Sequence, residues 1–443
     1  MPPIDDHPLR YALVNELHAR PFPELGVPCE AVFLAVKEPE DAANRDRDRD
    51  RAHLLDLLDR HGAVHPQPGA THHAATIGRH ALKWESHTEF VTYSAFRNGP
   101  GGLPFDPAMT GVFPPDWQAA APGRRLCSVL LRVEPMPDDP GAITARLEEW
   151  FVPESLACSE VLDGAAVIAG DFRIDPAGHM RFAVFVRPGT GRRRIGRIVQ
   201  RLCEVETYRA MSMLGLGRAR ALGARLNVID RSLSEVVDAM AGDTAAGNAM
   251  AENGGAGDAR PAEEVLNDLL RIAAELEGLA VRFSFRAGAT AAYRAIVAQR
   301  IEVLREARFS GRQTFGEFMM RRYDPAMRTV DSAARRLDAM VDRAARAAEL
   351  LRTRVDVERS AQNQRLLESM DRRAALQLRL QNTVEGLSVV AISYYGVGLA
   401  LHLVGPAVEA AGVARGLAAA ALTPAVVLVV WMMVRRIRRR MHH

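Results

Sequence analysis

Hydrophobic and polar positions change rhythm twice along this chain. Up to about residue 190, short apolar runs of strand length are interleaved with helical patterns. Beyond it the apolar positions recur every three to four residues, the spacing of one helix face. Near the C-terminus charged positions disappear over two runs, LSVVAISYYGVGLALHLVGPAV (residues 387–408) and residues 417–434, neither of which contains Asp, Glu, Lys or Arg. At a rise of about 1.5 Å per residue, about 22 residues span a hydrocarbon core of about 30 Å, and about 18 just suffice. The residues between them, with Glu409 and Arg415, leave room for a tight turn. Arg372, Arg373 and Arg379 precede the first run and Arg435, Arg436, Arg438, Arg439 and Arg440 follow the second. Retention of arginine on the cytoplasmic side predicts a multi-pass inner-membrane protein with both termini cytoplasmic.

Upstream of the first run, Val330, Leu337, Val341, Ala344, Ala348, Leu351 and Val355 keep mostly three- and four-residue steps, the seam of a helix packed on another helix. Leu376, Leu380, Val384 and Leu387 resume it, after an interruption that includes Asp356, Arg359 and Asn363. The spacing predicts a long coiled-coil-like stalk helix leading into the membrane, through which the chain forms a homo-oligomer.

Nearer the N-terminus, helices are expected over residues 7–22, 44–60 and 142–150, and strands over 29–36, 80–96, 126–133, 165–174 and 180–186, the last two joined by a turn. Helices follow over residues 194–240 and 262–308, with breaks at Ser310–Gly311 and Asp324–Pro325. GDTAAGNAMAENGGAGDARP between them predicts a flexible linker. The expected domains are therefore an α/β cytosolic domain (1–190), a helical domain (191–325) with a flexible loop at 242–261, a stalk helix (326–386), a transmembrane hairpin (387–434) and a basic tail (435–443).

Composition changes this picture little. The chain of 443 residues carries a net charge of +3, so no polyanion signature is present and nucleic acid is not an expected partner. Its basic residues are nearly all arginine, with Lys37 and Lys83 the two lysines. Cys29, Cys127, Cys158 and Cys203 are scattered without a CxxC pair, which suits a reducing compartment. No apolar signal segment opens the sequence.

Three patterns hold candidate chemistry. His53, His61, His65, His72, His73, His80 and His87 crowd one stretch but lack the Cys or HExxH partners of a zinc site, and read as surface-loop histidines. Glu85, His87 and Glu89 at i, i+2 and i+4 of the expected strand share one face, and two carboxylates about an imidazole suit a divalent cation; the plainer reading is a polar sheet face paired with arginine. Asn382, Gly386, Ser393 and Gly396 share one face of the first apolar run, where small and polar residues either pack closely against a helix or line a water-filled path. PGTGRRRIGR lacks the ending of a phosphate loop, and no GxSxG occurs, so ordinary enzyme chemistry is not expected.

The phrases HPLRYALVNELHARPF, LKWESHTEFVTYSAF, GDFRIDP, VQRLCEVETYRA, LLRTRVDVE and LQNTVEGLSVVAISYYGVG resemble a family of predicted membrane-anchored bacterial proteins of uncharacterised function, over nearly the whole chain. More loosely, the order of elements is similar to that of CorA-type magnesium channels, and NTVEGLSVVAIS is similar to the Asn-led start of their pore helix. That resemblance implies a pore lined by Asn382, Gly386 and Ser393. The sequence departs from it where those channels end the span in Gly-Met-Asn: Tyr395, Gly396 and Val397 stand here, then His402, Leu403 and Val404. The expected fold is an α+β cytosolic domain, a helical middle, a stalk helix and a two-span hairpin in a CorA-like architecture. The expected function is an oligomeric cation channel or transporter regulated by its cytosolic domain, with a membrane-anchored scaffold or sensor as the alternative.

Overall fold

The strands of this chain are apolar runs buried from both sides at the centre of the sheet and largely exposed at its two edges. In the computed structural model, which describes residues 4–16, 22–99, 102–253, 262–410 and 414–441, they form β1 (Cys29–Lys37), β2 (His72–Ile77), β3 (His80–Ser86), β4 (Phe90–Asn98), β5 (Arg124–Pro135), β6 (Ala157–Val161), β7 (Ala166–Ile174), β8 (Met180–Val186) and β9 (Ala307–Arg308). These make one sheet of nine strands in the order β2-β3-β4-β1-β5-β8-β7-β6-β9. Neighbours are antiparallel except β5 and β8, which run parallel.

The chain forms two units, Met1–Arg260 with Asn267–Ala347, and Pro261–Leu266 with Ala348–His443. The first contains the sheet. After α1 (Arg10–Glu16), the helices α2 (Arg47–Arg60), α3 (Pro115–Ala119) and α4 (Pro140–Trp150) cover one sheet face, where Leu54, Leu57, Leu58, Trp117 and Leu147 meet Val32, Leu34 and Tyr93. On the other face Ile195, Ile198, Val199 and Leu202 of α5 (Arg192–Asn253) meet Ala31, Phe33, Val129 and Phe182. Each such fully buried aliphatic or aromatic side chain contributes about 1.5–3 kcal/mol, and alternate strand residues serve opposite cores. Where the chain approaches α5, the Pro23 carbonyl oxygen occupies the space a Cβ on Gly196 would need.

Three expectations change at the level of elements. Residues 80–96 are two strands, not one: β3 and β4 pair with Ser86 opposite Val91, closed by a turn at His87–Thr88–Glu89. The turn carries no Gly or Pro to announce it. Instead the buried Arg45, paired with Asp50 at 2.7 Å, donates to the backbone oxygens of His87, Thr88 and Phe90 and holds it. Part of the histidine-rich loop is the edge strand β2. Helix α5 continues to Asn253 through most of the expected linker, whose residues 254–261 lie outside those described.

After α6 (Ala262–Glu302), α7 (Phe315–Phe318) runs through a π-helical turn, Met319–Tyr323, directly into α8 (Asp324–Ala410). The expected break at Asp324–Pro325 is absent: the helix continues past the proline directly after the π-helical turn Met319–Tyr323, where the regular i to i−4 ladder is already interrupted. The CorA-like architecture is overturned. The body is a mixed nine-stranded sheet that takes its last strand from beyond α6. Val330, Leu337 and Ala344 are buried and α8 is pinned to α5 by Arg336 and Arg343 on Asp230, so this stretch of the seam belongs to a helical bundle in the first unit. Leu376, Leu380, Val384 and Leu387 are exposed, so the upper seam has no partner helix among the described residues. Among the described residues no second helix pairs with this stretch as a coiled-coil stalk.

His53 binds the outer core through both ring nitrogens: Nε2 lies 2.9 Å from the Trp117 carbonyl oxygen, which can only accept, so Nδ1 accepts from Tyr93 Oη at 2.9 Å. Burial, partly opposed by that carbonyl bond, lowers its pKa, and burial lowers those of His80 and His179. A folded pKa below the unfolded value near 6.5 means that the unfolded chain takes up protons first, so stability falls as pH drops below about 6.5. Melting of the full chain should fall between pH 7 and pH 5, and His53→Gln should flatten that limb; an unchanged slope would contradict a His53 held neutral by burial. Gly196→Ala should destabilise the chain by about 1–3 kcal/mol through overpacking against backbone, read as a lower denaturation midpoint.

Candidate functional site

On the α5 side of the sheet the covering is incomplete, and a cavity of about 410 Å³ remains. Strand registry builds its floor. Lys83 lies opposite Ser94 and Glu85 opposite Thr92, while Phe33 of β1 lies opposite Ser94, so all five side chains rise on one face. Gln200, Glu204, Thr207 and Tyr208 form the α5 wall at helical spacing, and Arg300 of α6 reaches the same space. Phe90 and Phe96 add apolar floor.

The charges inside are largely matched. Lys83 Nζ lies 3.2 Å from Glu85 and donates to Gln200 Oε1 at 2.9 Å. Gln200 Nε2 donates to Glu204 at 2.7 Å, and Arg300 pairs with the same carboxylate. Arg201 is different. It donates to the Val303 carbonyl oxygen at 3.3 Å, and burial together with the Arg197 and Arg300 charges, partly opposed by Glu204, lowers its pKa below the ordinary guanidinium value. Cys203 also borders the cavity, but burial pushes its thiol far above the usual range, so it is no nucleophile.

The sequence-derived sites fare unevenly. Glu85 and His87 both reach the cavity, with His87 stacked on Phe90 at 4.3 Å. Glu89 stands apart from them, since the turn ends the strand after Ser86. It is buried and held by both Arg286 amino groups, by Tyr293 Oη at 3.0 Å and, at 3.8 Å, by Lys37 Nζ. Burial lowers the Lys37 pKa, and Glu89 partly restores it. Among the described residues no group of three or more His, Cys, Asp and Glu is placed to hold a metal ion. The remaining histidines are dispersed: His53 in the outer core, His65 on Asp59 at 2.6 Å, and His61 and His80 about a separate polar pocket.

In the second unit, Asn382 and Gly386 border a groove against Trp431 and Arg435 of α9 (Arg415–Met441). Ser393 is buried with its hydroxyl unbonded, and a Cβ on Gly396 would lie 3.0 Å from Val426. Ser393 and Gly396 are thus packed toward α9, whereas Asn382 and Gly386 are exposed and a Cβ on Gly386 would meet no atom within 4 Å. Sequence reasoning missed Gln200, Arg201, Glu204, Tyr208 and Arg300. A signal existed, since Gln200, Glu204 and Tyr208 recur every fourth residue beside the apolar Val199, Leu202 and Cys203, placing polar groups along a buried helix face.

These features define a mixed-sheet α/β body with an internal charged cavity, followed in sequence by two apolar helices. The chain belongs to the family described as protein of unknown function (DUF3422), whose model matches residues 5–441. No curated protein and no solved structure matches it. The CorA resemblance gains no support from these comparisons.

Removing the charge of Glu89 leaves Arg286 and Lys37 buried without their counter-ion. Glu89→Gln should cost about 3–5 kcal/mol in denaturant unfolding of the full chain, whereas Glu24→Gln, at an exposed ion pair with Arg193, should leave the midpoint unchanged.

Proposed function

We propose that this chain is an inner-membrane protein anchored by its two apolar helices, with a cytoplasmic body that senses or presents a small ligand held in the cavity. One observation carries the anchoring. The stretches within Phe315–Ala407 and Ala419–Arg436 long and apolar enough to cross a membrane are almost wholly unburied. Leu387, Val390, Tyr394, Leu399 and Leu403, and Leu428, Val429, Trp431 and Met432, all point outward. The core helix of a water-soluble protein would bury such side chains; contiguous exposed apolar surface on this scale calls for lipid or another chain. Arginines beyond both ends support a cytoplasmic setting for the body and the C-terminus.

The arrangement of the first apolar stretch favours an anchor over a pore. Ser393 and Gly396 are turned to α9, which accounts for their small size as close helix packing, while Asn382 and Gly386 border an open groove beside it. The cavity favours binding over catalysis: its thiol is driven to the neutral form and its carboxylates are tied to Lys83, Gln200 and Arg300.

The full chain should remain with membranes washed in alkaline carbonate. A single reactive cysteine introduced as His443→Cys should resist an impermeant maleimide in intact cells and react after lysis. Release into the wash, or labelling of intact cells, would overturn the anchor or its orientation respectively.

A further inference from the structure

The cavity has one positive charge more than its pairs consume. Lys83 is matched by Glu85, and Arg300 by Glu204, whose remaining bond is taken by Gln200. Arg201 is left with a single backbone carbonyl at 3.3 Å, which engages one of its five N–H groups, and no carboxylate bonds to it among the described residues. Arg197, one turn earlier on α5, is exposed and lies outside the cavity lining, 6.0 Å from the Phe22 ring, so its charge bears on Arg201 without entering the cavity. A half-buried guanidinium with donors to spare, on which two cationic neighbours outweigh the Glu204 carboxylate already paired with Arg300, is a site in which a bound anion adds both hydrogen bonding and charge. The rest of the lining is not anion-seeking. Phe33 and Phe96 present apolar surface on the sheet side, and Phe90 lies beneath the stacked His87 ring.

We infer that the cavity takes a small monocarboxylate with a flat apolar body, its carboxylate forked on Arg201 and its body laid against Phe33 and Phe96. This rests on the reading of the body as a ligand-binding module and specifies the class of ligand. One surplus cation matches a single negative charge, and the planar guanidinium matches a carboxylate through two parallel hydrogen bonds. A volume of about 410 Å³ falls in the range of small-molecule sites, about 300–1,000 Å³.

The test is calorimetric titration of the full chain in lipid nanodiscs, with empty discs to subtract partitioning, using 2-naphthoate, the neutral 2-naphthamide and 2-naphthyl phosphate. The acid should bind, the amide should bind about tenfold more weakly or not at all, and the phosphate ester should be no better than the acid. Arg201→Gln should weaken naphthoate by about tenfold or more while leaving the amide unchanged, and Arg201→Lys should fall between, since it keeps the charge and loses the fork. Equal binding of acid and amide, preference for the phosphate ester, or naphthoate affinity unchanged in a folded Arg201→Gln would overturn the carboxylate assignment and leave a ligand-binding body standing. Binding of none of the three to the wild-type chain would overturn both.

Discussion

The constraint on which the rest depends is the fit of α5 across the sheet. One helix face has to supply Ile195, Ile198, Val199 and Leu202 to the inner core, yet the sheet it covers is not uniformly apolar. Lys83, Glu85, Thr92 and Ser94 rise from the same face as Phe33. A helix that matched the apolar half would strand those polar groups, and an unpaired buried charge costs several kcal/mol. The chain meets the mismatch by turning Gln200 and Glu204 toward the charges and leaving space between. The cavity is thus the place where two incompatible surfaces are kept apart, with polar side chains on both sides of the gap.

The same solution recurs a few residues away. The His87–Thr88–Glu89 turn has no residue that favours a turn, and it exists because Arg45 satisfies three of its carbonyl oxygens while Arg286, Tyr293 and Lys37 collect on Glu89. Arginine suits this work: its guanidinium is always charged, weakly hydrated for an ion, and able to serve several acceptors at once. The preference for arginine over lysine in this chain is therefore reflected in its architecture, where Arg45, Arg132 and Arg286 each join elements distant in sequence.

How much of this could be read in advance depended on whether a local pattern or a distant partner fixes each element. CEAVFLAVK and RFAVFV are apolar at nearly every position and could only be interior strands, and the turn from Asp175 to Gly178 announced the β7–β8 pair. The β3–β4 turn was illegible because its cause, Arg45, lies some forty residues upstream, and β9 because two residues hold no period. The seam of α8 was legible as a face but not as a partner: periodicity says that Leu337 is buried, not that α5 is what buries it. For the site, Glu85 and His87 stood out on a strand, whereas Arg201 and Arg300 come together from helices a hundred residues apart and gain meaning only from their neighbours.

The two lysines illustrate what burial removes from a protein's outward chemistry. Lys37 and Lys83 are 6% and 8% exposed, and both are committed to carboxylates. The folded surface consequently offers no lysine amine to acylating or methylating agents, natural or synthetic, although it is rich in guanidinium. Whatever adjusts this protein's charge in the cell must work through another residue, and a lysine that does react with an amine-seeking label reports that β1 or β3 has come away from its covering helix.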